Sequence, residues 1–99
     1  LPIYQEEGEI RLRFERGADE SWTSAELLGL VDRALLAVAG EGASLTHLNV
    51  TVIRPVQAAD VVALARIIRR DGETSHAEAW LFSHAVIEPI LHATATLRR

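Results

Sequence analysis

The chain contains no cysteine, no methionine and no lysine. Without cysteine there is no disulfide framework, thiolate metal site or thiol nucleophile, and a reducing, cytoplasmic setting is expected. Without methionine, and starting at Leu1, the sequence is expected to follow from a longer polypeptide. All ten basic residues are arginine, set against 14 acidic ones for a net charge of −4, a balance that argues against nonspecific nucleic-acid binding. Aromatic residues are scarce at 5%, so a core must be built from Ala, Leu, Val and Ile. The longest apolar runs, such as 34–39, fall far short of the ~20 residues that a membrane span needs, and no secretory or transit segment is legible.

Ninety-nine residues with 48% hydrophobic content make one domain, 1–99, with one core. Residues 8–16 alternate strictly, with Ile10, Leu12 and Phe14 on one face and Arg11, Arg13 and Glu15 on the other, which predicts a half-buried strand. Residues 17–22 break the pattern as a loop. Thr23 and Glu26 then have the spacing of a capping box, opening a helix that ends near Gly40 and Gly42. That helix is apolar over most of its circumference and is expected to be enclosed by other elements. Residues 43–53 read as a strand, with Thr46, Leu48, Val50 and Val52 as the expected core face. Residues 60–70 have alanines that also suit a helix, but Asp71-Gly72 signals a hairpin, so a strand is expected, with 73–83 returning. Pro89 opens a last strand to Arg98. The order β-α-β-β-β-β predicts an α+β domain with one helix against a mostly antiparallel sheet.

One carboxylate stands out. Asp32 lies within the apolar stretch 25–39, and its helical neighbours Leu28, Gly29, Leu35 and Leu36 cannot pair with it, while Glu26 and Arg33 share a more solvated edge. Such a carboxylate is either a structural acid meeting an arginine from elsewhere or a catalytic acid at a cleft or interface. His47, His76, His84 and His92 lack the spacing of a metal site, so no metal is expected. Neither a phosphate-cradling glycine loop nor a Gly-x-Ser-x-Gly elbow is present.

The strings Leu27-Leu-Gly-Leu-Val-Asp-Arg-Ala-Leu35, Leu48-Asn-Val-Thr-Val-Ile-Arg-Pro-Val56, Asp60 to Gly72 and Leu91-His-Ala-Thr-Ala-Thr-Leu97 occur in an order that resembles hotdog-fold acyl-CoA thioesterases of the phenylacetate-pathway type, over residues 8 to 98. The resemblance implies a long central helix wrapped by a curved antiparallel sheet, a homodimer or tetramer with sites at the subunit interface, an acyl-CoA substrate and no cofactor. It places Asp32 at the position of the helix carboxylate that acts as base or nucleophile on the thioester. Where those enzymes usually carry His-Gly-Gly, this chain has Thr23, Ser24 and Ala25, whose amides take the place of the oxyanion donors. Thr46, His47, Asn49 and Arg54 complete the expected substrate-binding set, Arg54 toward phosphate oxygens. The missing glycines motivate an alternative, a hotdog protein that binds an acyl or aromatic ligand, or assembles, without catalysis.

Overall fold

The fold was analysed in a computed structural model that describes residues 8–15, 22–54, 61–83 and 89–99, together with the backbone of 2–6. Two antiparallel strands, β1 (Pro2–Glu6) and β2 (Glu9–Phe14), lead into a single helix, α1 (Ser24–Ala39). Four longer strands follow, β3 (Ser44–Val52), β4 (Val61–Asp71), β5 (Thr74–Ser83) and β6 (Pro89–Arg98). They form one six-stranded antiparallel sheet in the order β1-β2-β4-β5-β6-β3. Because β2 lies near one edge and β3 forms the other, the connection that contains α1 carries the chain across the sheet.

The helix and the last four strands lie where the sequence places them, and 61–71 is a strand. Gly72 adopts φ 62° in the turn between β4 and β5, a conformation that costs glycine little. β1 has no counterpart in the sequence reading, since its five residues include no periodic run and it is held by backbone pairing to β2. Residues 17–21 of the expected 17–22 loop, Pro55, Asp60 and His84 fall outside the described residues.

Small side chains make the middle of the sheet's helix-facing surface. Ala65, Ala79 and Ala93 stand directly opposite one another across β4, β5 and β6, with Ala63, Ala77 and Ala95 in the neighbouring rows, and all six are buried. Onto this floor α1 lowers Leu27, Leu30, Val31, Ala34, Leu35, Val38 and Ala39. Close approach over alanine at the middle of the sheet leaves room there for the branched side chains of the helix, while Val61, Leu81, Leu91 and Leu97 fill the surrounding interior from the sheet.

The helix is not enclosed, contrary to the reading of its apolar circumference. Its outward side, including Leu28 and Gly29, is exposed, because no element among the described residues covers it. A register shift between Leu45 and His47 in β3 gives a second departure. The extra residue turns Leu45 to the helix side, opposite buried Leu97, and leaves Thr46 exposed with its hydroxyl donating to the Thr96 carbonyl at 3.0 Å. Thr46 is therefore not a core residue. No helix among the described residues is long and apolar enough to cross a membrane.

Two outcomes test this packing. Ala79→Leu, at a fully buried position, should lower stability by about 1–3 kcal/mol through overpacking, read as a shift in the urea midpoint at constant slope. The Ser83 hydroxyl is buried with no partner among the described residues, so Ser83→Ala should be neutral or stabilise by up to about 1 kcal/mol in the same experiment.

Candidate active site

The first turn of α1 is shaped by a complete capping box. The Glu26 amide donates to Thr23 Oγ1 at 3.1 Å, and the Thr23 amide donates to Glu26 Oε1 at 3.1 Å. The Leu27 amide is taken by the Thr23 carbonyl. The amides of Ser24 and Ala25 are left as the first-turn donors with no partner among the described residues. The same box holds the Glu26 carboxylate on the Thr23 amide, which restrains a negative charge that would oppose an anion at Ser24 and Ala25.

Asp32 is half-buried, and it makes no hydrogen bond or ion pair among the described residues. Among the described residues no arginine supplies the partner that a structural acid would need. At about 100° per residue, Asp32 shares a flank of α1 with Leu28 and Leu35, while Glu26, Gly29, Leu30 and Arg33 form the other flank. That second flank meets β2, where a cleft of about 440 Å³ is lined by Arg13, Phe14 and Trp22 together with those four helix residues. Asp32 consequently opens toward the opposite side of the sheet, where β3 forms the edge. Here the cover runs out. Leu45, Leu48 and Val50 reach the core only in part, and Val52 and Ile53 are exposed.

The remaining candidates divide between the two faces of the sheet. His47, Asn49 and Thr51 stand opposite Thr96, Thr94 and His92, on the face away from the helix, so within one copy the sheet separates His47 and Asn49 from Asp32. Arg54 is exposed just beyond β3, at the end of the sheet where α1 begins. Thr23, Ser24 and Ala25 are exposed at the start of α1. Ser24 and Asp32 are eight residues apart, about 12 Å along the axis, so they share a helix but cannot both touch one small group. Among the described residues no cluster of His, Asp and Glu suits a metal ion.

One cluster escaped the sequence reading. On the face away from the helix, Glu78 accepts from Arg66 Nε through Oε1, and its Oε2 lies 3.2 Å from His92 Nε2. The His92 ring packs on Trp80 at a centroid distance of 4.0 Å. The i, i+2 spacing of Glu78 and Trp80 was visible, but their meeting with β4 and β6 depends on long-range register. Burial raises the pKa of Glu78, and the hydrogen bonds and charges of His92 and Arg66 outweigh it, holding the carboxyl below its ordinary 4.5. A depressed carboxyl stabilises the fold fully above its unfolded value and ceases to do so as the pH falls through its folded value. Loss of stability between pH 7 and pH 3 should therefore be smaller in Glu78→Gln than in the parent, measured by urea midpoints at both pH values.

By sequence, the chain matches no family profile and no curated protein. By structure it is similar to a protein of Ralstonia eutropha JMP134, provisionally named a thioesterase and phenylacetic acid degradation-related protein, with TM-score 0.86 and 18% identity over 100% of this chain and 83% of that one. The PaaI protein of the E. coli phenylacetic acid degradation operon gives TM-score 0.88 and 17% identity over 99% of this chain and 77% of that one. A mutant of the phenylacetic acid degradation protein PaaI from Thermus thermophilus gives 0.85 and 19% over 100% and 91%. The helix and the antiparallel sheet around it are thus the hotdog fold.

Proposed function

We propose that this protein hydrolyses acyl-CoA thioesters, with Asp32 as the general base, at a site completed by a second copy of the chain. The observation that carries this reading is the state of Asp32, a half-buried carboxylate with no partner among the described residues, turned toward the uncovered β3 margin. Likeness of fold to proteins named for phenylacetic acid degradation supports the thioester as the substrate class.

The need for two copies follows from helix geometry. A thioester carbonyl beside Asp32 lies about 12 Å from the amides of Ser24 and Ala25 on the same helix, far beyond hydrogen-bond reach. Those amides must come from the other copy. β3 is an edge strand with one unpaired side and incompletely covered helix-facing side chains, the properties of a surface that pairs with another strand. Pairing of β3 with β3 of a second copy sets two helices side by side, the first turn of one beside the carboxylate of the other. His47, Asn49 and Thr46 lie on this same strand and contribute from it, while Arg54 at its end meets CoA phosphate oxygens.

In the reaction, Asp32 takes a proton from water as the water oxygen bonds to the thioester carbon. The oxyanion that forms is held by the amides of Ser24 and Ala25. Collapse of this intermediate breaks the C–S bond, and the proton passes to the departing thiolate, giving a carboxylic acid and free CoA. The setting is the cytoplasm, where acyl-CoA is available and a cysteine-free chain has no disulfide to form. A second reading, a hotdog protein that binds an acyl or aromatic ligand without turnover, is favoured by one feature: Ser24 and Ala25 stand where glycine would let a substrate come closest.

The test is release of free thiol from short-chain, long-chain and aromatic acyl-CoAs by purified protein whose mass in solution is measured in parallel. Hydrolysis by a dimer or larger assembly is expected, with Asp32→Asn lowering kcat by about 10²-fold or more. Turnover undiminished in Asp32→Asn would remove the assigned role, and no turnover by a folded dimer would favour the binding reading.

A further inference from the structure

The exposed large hydrophobic residues among those described are Leu28, Val52, Ile53 and Ile68. Two of them, Leu28 and Val52, come from different elements at the same end of the domain. Leu28 precedes Asp32 by one turn on the same flank of α1 and is 42% exposed. Val52 stands opposite Leu91, which is buried on the helix side of the sheet, yet Val52 itself is 68% exposed. The start of α1 lies over this end of the sheet, because its first turns share a cleft with Phe14, whereas Ala39 at its other end is bonded to Arg99 after β6. Leu28 and Val52 therefore lie at the same end of the domain, on the margin between the helix and the edge strand. On the helix side of β3, Leu48 and Val50 are partly buried, and Asp32 lies one turn beyond Leu28 on the helix.

From this arrangement the geometry points to Leu28 as the residue that sets the size of the acyl group, and to an uncharged, apolar acyl chain as the class accepted. The inference rests on the thioesterase reading above. An apolar wall one turn from a carboxylate penalises a second negative charge twice, through desolvation and through repulsion by Asp32. Leu28 stands one turn from Asp32 on the flank that opens toward β3, with its side chain exposed. An acyl chain extending that way from a carbonyl at Asp32 meets the leucine side chain within one turn, and shortening the side chain opens the path.

The experiment compares kcat/KM for butyryl-, hexanoyl-, decanoyl- and succinyl-CoA in the parent, Leu28→Ala and Leu28→Phe, with the mass of each assembly measured. Succinyl-CoA should be the poorest substrate of the parent. The decanoyl-to-butyryl ratio should rise about tenfold in Leu28→Ala and fall in Leu28→Phe. Unchanged ratios in both variants, a preference for succinyl-CoA, or an assembly that dissociates in both variants would overturn the proposal, the last by making Leu28 a contact between copies. If the parent hydrolyses none of these, the thioesterase reading fails, and the same ratio is read as calorimetric affinity for the butyl and decyl thioethers of CoA. A Leu28-dependent affinity ratio would sustain the size-setting role, whereas an unaltered ratio or absence of binding would end it.

Discussion

Everything in this domain depends on how closely the helix can lie on the sheet. The row of Ala65, Ala79 and Ala93, flanked by Ala63, Ala77 and Ala95, supplies almost no side-chain height, so the branched residues of α1 fill the interior above it, with Val61, Leu81, Leu91 and Leu97 of the sheet closing around them. A chain with two tryptophans and two phenylalanines cannot build a core from aromatic rings, and it compensates with contact at short range. The cost of this arrangement is width. One helix lying low covers the central strands but not the outermost one, so β3 keeps its helix-facing side chains partly in water. The uncovered margin is thus a product of the packing that stabilises the centre, and it is the place toward which Asp32 opens.

Polar groups follow a division set by the same sheet. On the helix side, Asp32 stands among leucines with no partner among the described residues. On the far side, Glu78 is surrounded by Arg66 and His92, with Trp80 packed against the imidazole. The two carboxylates are both partly shielded from water, yet one is fully satisfied and the other is not. A charge committed to hydrogen bonds is poor at chemistry because those bonds must be broken first. In this sense the partnered Glu78 serves the fold, whereas the unpartnered Asp32 is open to a reaction.

Much of the fold was legible in the sequence because its periods are clean. The alternation of Ile10, Leu12 and Phe14, the capping spacing of Thr23 and Glu26, and the turn at Asp71-Gly72 each have a local cause and appear where that cause puts them. β1 was not legible, since five residues held by backbone pairing leave no side-chain pattern. Nor was the shift at Leu45 and His47, where one additional residue exchanges the faces of a strand without altering its composition. For the site, Asp32 was conspicuous as a charge among leucines, but its direction depends on where the sheet stops, a property of strand order. His47 and Asn49 were correctly assigned to the polar face of β3. That face lies across the sheet from Asp32, so their grouping with it requires a second copy.

The two ends of α1 are closed by bonds of very different reach. Thr23 and Glu26 close the first turn within a span of three residues, whereas the last turn, which has no basic residue of its own, is closed by Arg99 donating to the Ala39 carbonyl at 3.0 Å across 60 residues of chain. Gly40 sits beside the Arg99 guanidinium at φ 97°, where any side chain would be strained and would displace the arginine. Short-range closure fixes little chain entropy, while long-range closure must wait until β6 has found its place. The helix therefore has an early end and a late end. Its beginning can order by itself as the chain folds, but its far turn is completed only by an assembled sheet, which makes that turn a structural record of whether the last strand has docked.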